Sequence, residues 1–423
     1  MRDHELRRRA VAEMHLRRWP NLPVPCLIMQ WVVIVDDTER TAELAAIERL
    51  AEPRDVVGNP SHREGFVREG VRFAWEKHSE GSSLTLFGRR SDSALFVDPR
   101  ADPALAEAID WAEALPGKVV RSTCIWLAEC DAGAQALLAQ APVRGEELVS
   151  CRIGGAVRMW SDFRLNEDGY GRLLIAANGV GSRDLTRHVQ RLQELGNYRN
   201  RALLGLPMAQ ETWPRLDVAE KRLKELADRV ANSDERDDTL MESLSALSLE
   251  LATISTGLSF RMDATRAYAR LVEDRLAQLK CEPIPGFMSL DDFTQRRFLP
   301  AMNTCDAITQ RVERLAIRAE QLSSLLRARI EARIENQNAQ QLRSMERSVA
   351  MQVRLQQLVE GLSVVALSYY LIGLIDFVVQ GVPGNVLAMD RERLVALLVA
   401  PVLLVVWLVT RAVKNRVLNA PED

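Results

Sequence analysis

The chain has 423 residues, long enough for two or three domains. Its net charge of −3 and pI of about 6.1 remove the bulk electrostatic case for nucleic acid as a partner. Six scattered cysteines without a CxxC spacing predict isolated reduced thiols in a cytosolic setting, not a disulfide framework.

Residues 1–20 form a basic, amphipathic opening with His4, Arg7 and His15, and no cleavable apolar segment is expected after it. The apolar run at 26–35 is interrupted by Gln30 and ends in Asp36 and Asp37, so it reads as a buried strand. Residues 38–50 continue with helical periodicity and Thr38 as the N-cap. Residues 71–78 and 83–88 make a hairpin, 102–115 a helix and 118–127 another strand. This β-α-β-β-α-β order is the split βαβ pattern of ferredoxin-like domains. A further helix at 132–140 and strands near 148–153, 157–165 and 172–177 complete an α/β domain over 1–180, as one sheet or as two lobes.

From residue 181 the chain turns helical. One helix is expected to end at Pro207 and another to start at Pro214. Leu216, Ala219, Leu223, Leu226 and Val230, then Leu240, Leu244, Leu247, Leu251, Ile254 and Leu258, repeat at heptad-like spacing. A polar insert at 232–238, a turn at 281–289 and Pro300 divide the segments. The last carries Ile308, Val312, Leu315, Ala319, Leu322 and Leu326 and runs on without Gly or Pro. These segments predict an antiparallel helical stalk over 181–360, coiled-coil-like and fit to serve as an oligomer interface. Amides at 335–341 interrupt its apolar seam, as a solvated helix near a bilayer or a polar seam about a symmetry axis would.

Residues 361–380 and 394–410 are apolar over about 20 and 17 positions, with Asp376 the single charge. At about 1.5 Å per residue they suit a hydrocarbon core of about 30 Å. They form a two-span hairpin over 361–410, with a tail at 411–423. Arg343, Arg347, Arg354, Arg411, Lys414 and Arg416 flank it, against Arg391 and Arg393 in the link. By the positive-inside rule both termini are cytoplasmic.

Several stretches carry a resemblance. They are His4-Glu5-Leu6-Arg7, residues 73–80 (FAWEKHSE), residues 189–192 with Tyr198-Arg199 and residues 202–207, and residues 359–366 entering the first span. Together these resemble a bacterial family of uncharacterised membrane-anchored proteins, a domain of unknown function, over nearly the whole chain. The resemblance implies a membrane anchor and brings no activity or catalytic residues. The chain departs from the family pattern at residues 16–20 and at Asn197 and Asn200. Its layout is also similar to CorA-type magnesium transporters, although Gly381-Val382-Pro383-Gly384-Asn385 stands where that family has Gly-Met-Asn.

Candidate chemistry is sparse. Glu76 and His78 share a strand face, as a metal or acid–base pair would, or as an exposed hairpin face would. His4, Arg7 and His15 suit acidic headgroups or a phosphate, or else a solvated helix. Residues 178–184 faintly echo a phosphate loop but lack its third glycine; turn glycines with Ser182 or Asp184 as the cap explain them better. Tyr369, Gly373, Asp376 and Gln380 fall on one helical face, and with Glu360 they are the pore or helix-packing candidates. No cofactor, catalytic or metal motif is recognised. The expected protein is a non-enzymatic, multi-pass inner-membrane protein, homo-oligomeric and lipid-bound, with a sensing or scaffolding domain. A channel of CorA-like layout and an enzyme on the α/β domain are the alternatives.

Overall fold

Strand β1 (Cys26–Ile34) is apolar except at Gln30 because both its faces are covered. Leu27, Met29 and Trp31 enter one core, while Cys26 and Ile28 enter the other. The computed structural model describes residues 4–7, 11, 19–52, 61–88, 92–232, 235–381 and 391–418. Around β1 lie β2 (His62–Arg68), β3 (Val71–Lys77), β4 (Gly81–Gly88), β5 (Lys118–Ala128), β6 (Val149–Ile153), β7 (Val157–Ser161), β8 (Gly171–Ala176) and the short β9 (Glu282–Pro283). All join one sheet of nine strands in the order β2-β3-β4-β1-β5-β8-β7-β6-β9. Every neighbouring pair is antiparallel except β5 with β8.

Strand β2 has no counterpart among the sequence expectations. Its alternation sets Arg63, Gly65 and Val67 inward against half-buried or exposed His62, Glu64, Phe66 and Arg68. An edge strand rich in charge hides its period from any apolar count.

Helices α1 (Asp37–Glu48), α2 (Pro103–Glu113) and α3 (Asp131–Leu138) cover one face of the sheet through Ile47, Leu105, Ile109 and Leu137. The α1 cap is Asp36, not Thr38. Its carboxylate accepts the N–H groups of Thr38 and Glu39 at 2.9 Å, and Glu39 reaches back to complete a capping box. The other face carries α4 (Ser182–Leu203) and α6 (Asp237–Leu279), whose Leu185, Val189, Leu192, Leu195 and Val272 share a core with Ile125, Ile175 and Met159. Each such buried aliphatic contributes about 1.5–3 kcal/mol.

Between them α5 (Gly205–Asn232) departs from expectation. Pro207 sits in its first turn and Pro214 inside it, and the helix ends at neither. Ala209 and Thr212 before Pro214 and Leu216 and Ala219 after it are all buried, so packing on both sides offsets the lost hydrogen bond. Pro300 likewise ends nothing: it lies in the first turn of α8 (Leu299–Gln380). A short helix α7 (Leu290–Phe293) and a π-helical turn (Thr294–Phe298) come just before, where the ladder must absorb the missing N–H. Leu216, Ala219, Leu223 and Leu226 of α5, Leu244 to Leu258 of α6 and Ile308 to Leu322 of α8 form a third core at the expected spacing.

The chain divides into two compact units, Met1–Ser323 and Ser324–Asp423. The first contains all three cores. In the second, residues 331–359 of α8 are exposed on every side. Beyond them Val364, Ser368, Ile372, Ile375, Asp376 and Val379 are its more buried positions, as are Leu394, Val395, Leu398, Val402, Val406 and Thr410 of α9 (Arg391–Leu418). The three- and four-residue spacing on both helices is that of a packed helix pair.

All six cysteines are free, but two of them are not isolated. Cys281, just after α6, lies beside Cys151 on β6, and their interaction lowers the Cys151 pKa and raises that of Cys281.

Candidate functional site

Sheet register places polar residues on the face beneath α4. One row across the strands reads His62, Glu76, Ser83, Val32, Arg121, and the next reads Ala74, Thr85, Gln30, Thr123. Gln30, Ser83, Thr85 and Thr123 are buried, and Gln30 donates to Thr85 at 2.9 Å. Helix α4 answers with amides. Arg121 Nη1 donates to Gln193 Oε1 and Asn197 Oδ1, each at 2.7 Å, and to Gln30 Oε1 at 3.4 Å. The guanidinium lies directly against the helix because residue 196 is glycine. A Cβ there would meet Arg121 Cζ at 2.8 Å.

Three residues along α4, Arg199 is only 7% exposed, and its Nη1 finds no hydrogen-bond partner. Its guanidinium carbon sits 4.3 Å from the centre of the Phe163 ring and 5.5 Å from that of Phe293; the two rings stack at 4.6 Å. Phe163 adopts φ 51°, a left-handed conformation that costs a bulky residue about 1–3 kcal/mol. That geometry sits at the end of β7, where Ser161 Oγ accepts the Phe163 N–H at 3.1 Å.

Arg121 and Arg199 border a cavity of about 430 Å³, which runs out to the exposed Val119 and Leu165. Ser122, Thr123, Asn200, Leu192 and Leu195 also line it, and among its described lining residues there is no carboxylate. Two further arginines at its wall have acids of their own: Arg164 pairs with Glu147, and Arg172 with Asp168. Among the described residues, Arg121 is met by amides and Arg199 by aromatic faces. Burial, and then the Arg199 charge, pulls the Arg121 guanidinium down to about 9; burial pulls Arg199 down to about 10. Arg201, also on α4 and 2% exposed, differs. Its guanidinium lies 5.7 Å from the Tyr268 ring and feels the Glu80 carboxylate, although burial lowers its pKa overall.

The residues singled out from sequence lie elsewhere. Glu76 approaches His62 Nδ1 at 3.9 Å, while His78 Nε2 meets Ser83 Oγ at 3.0 Å; His78 falls just past the end of β3, and each has its own partner. No group of three or more His, Cys, Asp or Glu side chains suited to a metal gathers among the described residues. His4 and Arg7 are exposed in a turn where His4 Nδ1 accepts the Leu6 N–H, and His15 lies outside the described residues. In the 178–184 loop Asn178 braces Asp131, and Gly181 is the N-cap of α4. Ser182 donates to the Leu22 carbonyl at 2.8 Å and does not cap. Glu360 accepts from Lys414 at 2.7 Å, and Asp376 accepts from Gln380 at 3.0 Å. Tyr369, Gly373 and Gln380 are exposed, whereas Asp376 is half-buried, so the four do not share one environment.

No sequence expectation pointed to the cavity. Its signal was a run of amides and a glycine, Gln193, Gly196, Asn197 and Asn200, set among the buried Leu192 and Leu195. No curated protein matches the chain. A family model matches residues 2–417, and the chain belongs to that family, described as a protein of unknown function (DUF3422).

Proposed function

We propose that this is a non-enzymatic, membrane-anchored sensing or scaffolding protein of the bacterial inner membrane, its Met1–Ser323 unit on the cytoplasmic face. One observation carries the reading. Two helices are long and apolar enough to cross a bilayer, yet only 6% and 11% of their most apolar windows are buried. A core helix of a soluble protein with that composition would be buried, because exposed apolar area of this extent is unfavourable in water. The Lys414–Glu360 pair joins the two helices at the end where the flanking arginines cluster, which supports cytoplasmic termini.

The ferredoxin-like reading draws support from the order β3-β4-β1-β5, all antiparallel, with α1 and α2 on one face. Lipid and further copies of the chain are the expected partners, and nucleic acid is not. The CorA-like conduit is the weaker alternative, since Glu360 and Asp376 are engaged within the chain. Fluorescent-protein and alkaline-phosphatase fusions at residues 1 and 423 test the orientation. Fluorescence without phosphatase activity at both ends is expected; phosphatase activity at either end contradicts it.

A further inference from the structure

We infer that the cavity between β5, β7 and α4 binds the oxyanion group of a small organic acid, a phosphate or a carboxylate, through Arg121 and Arg199. The proposal deepens the sensing reading given above and rests on it. Desolvating two guanidiniums side by side costs free energy that neutral amides recover only in part. Proteins normally offset such a cost with a carboxylate, as Asp168 does for the buried Arg172 at the same wall. Here the described lining offers none. An arriving oxyanion supplies the missing charge, and forked guanidinium donors suit it geometrically.

The neighbours fit such a guest. Thr123 and Asn200 can donate further hydrogen bonds, and Leu173, Leu192 and Leu195 offer apolar wall to a carbon skeleton. About 430 Å³ exceeds what an inorganic ion fills and falls within the range of small-molecule sites. Gly196 contributes by omission. Any side chain there would push the Arg121 guanidinium off its three amide acceptors.

A structural role alone, with Arg199 packed against the stacked Phe163 and Phe293 rings, predicts no ligand. The full-length protein in neutral detergent would be titrated calorimetrically with inorganic phosphate, citrate and a nucleoside monophosphate, with sodium chloride at matched ionic strength as control. Saturable binding of any of these above the chloride control is expected, and the tightest arm names the oxyanion. Arg199→Gln should weaken it at least tenfold. Should that variant fold poorly, Gly196→Ala keeps both charges and improves helix propensity, and it should still weaken binding about tenfold. A response no greater than chloride, or saturable binding that neither substitution alters, overturns the proposal. Neither result bears on membrane anchoring, which the fusions test separately.

Discussion

Gly81→Ala is expected to destabilise the first unit by about 3 kcal/mol or more. Gly81 opens β4 opposite Ile34 at the centre of the sheet, where a Cβ would sit 1.9 Å from the Val33 carbonyl oxygen and 2.9 Å from Ile34 Cα. Both obstacles are backbone, so no rotamer change relieves them. The β1–β4 ladder must open, and β1 carries both cores on its two sides. Gly70→Ala is the comparison. It has the strained φ of +79° but nothing within 4 Å, so it should cost only about 1–2 kcal/mol. Thermal unfolding followed by circular dichroism in detergent separates the two variants. Equal melting temperatures would show that the sheet centre yields more easily than its register implies.

The second large effect concerns solubility. A chain that stops at Ile330, a turn or two past Ser323, retains every residue of the three cores. It should express as a soluble, cooperatively melting protein without detergent, since it sheds the exposed apolar positions from Leu342 to Val413. Aggregation of this fragment, or loss of its near-ultraviolet dichroism, would mean that its fold depends on residues 331–423.

How much of this was legible depended on whether each pattern kept a regular period. The strand at 26–35, the hairpin at 71–88 and the leucine repeats of α5, α6 and α8 are regular, and all appear where expected. Pro207 lies within a few residues of the break between α4 and α5, whereas Pro214 and Pro300 misled because local propensity was outweighed by burial on both sides or absorbed by a π-turn. Strand β2 was invisible because an edge strand's charges mask its alternation. The cavity was invisible for a deeper reason. Arg121 and Arg199 are 78 positions apart, and only the β5–α4 packing brings them to one cavity. An arginine's surroundings, not its spacing, distinguish a buried cation from a solvated one.

Membrane residence of α9 and the C-terminal part of α8 is the claim on which the rest stands, and alkaline extraction of isolated membranes tests it most directly. The full-length protein should stay in the pellet at pH 11 and enter the supernatant only with detergent. If it is released at pH 11 without detergent, these helices are not held in lipid and the anchored reading fails.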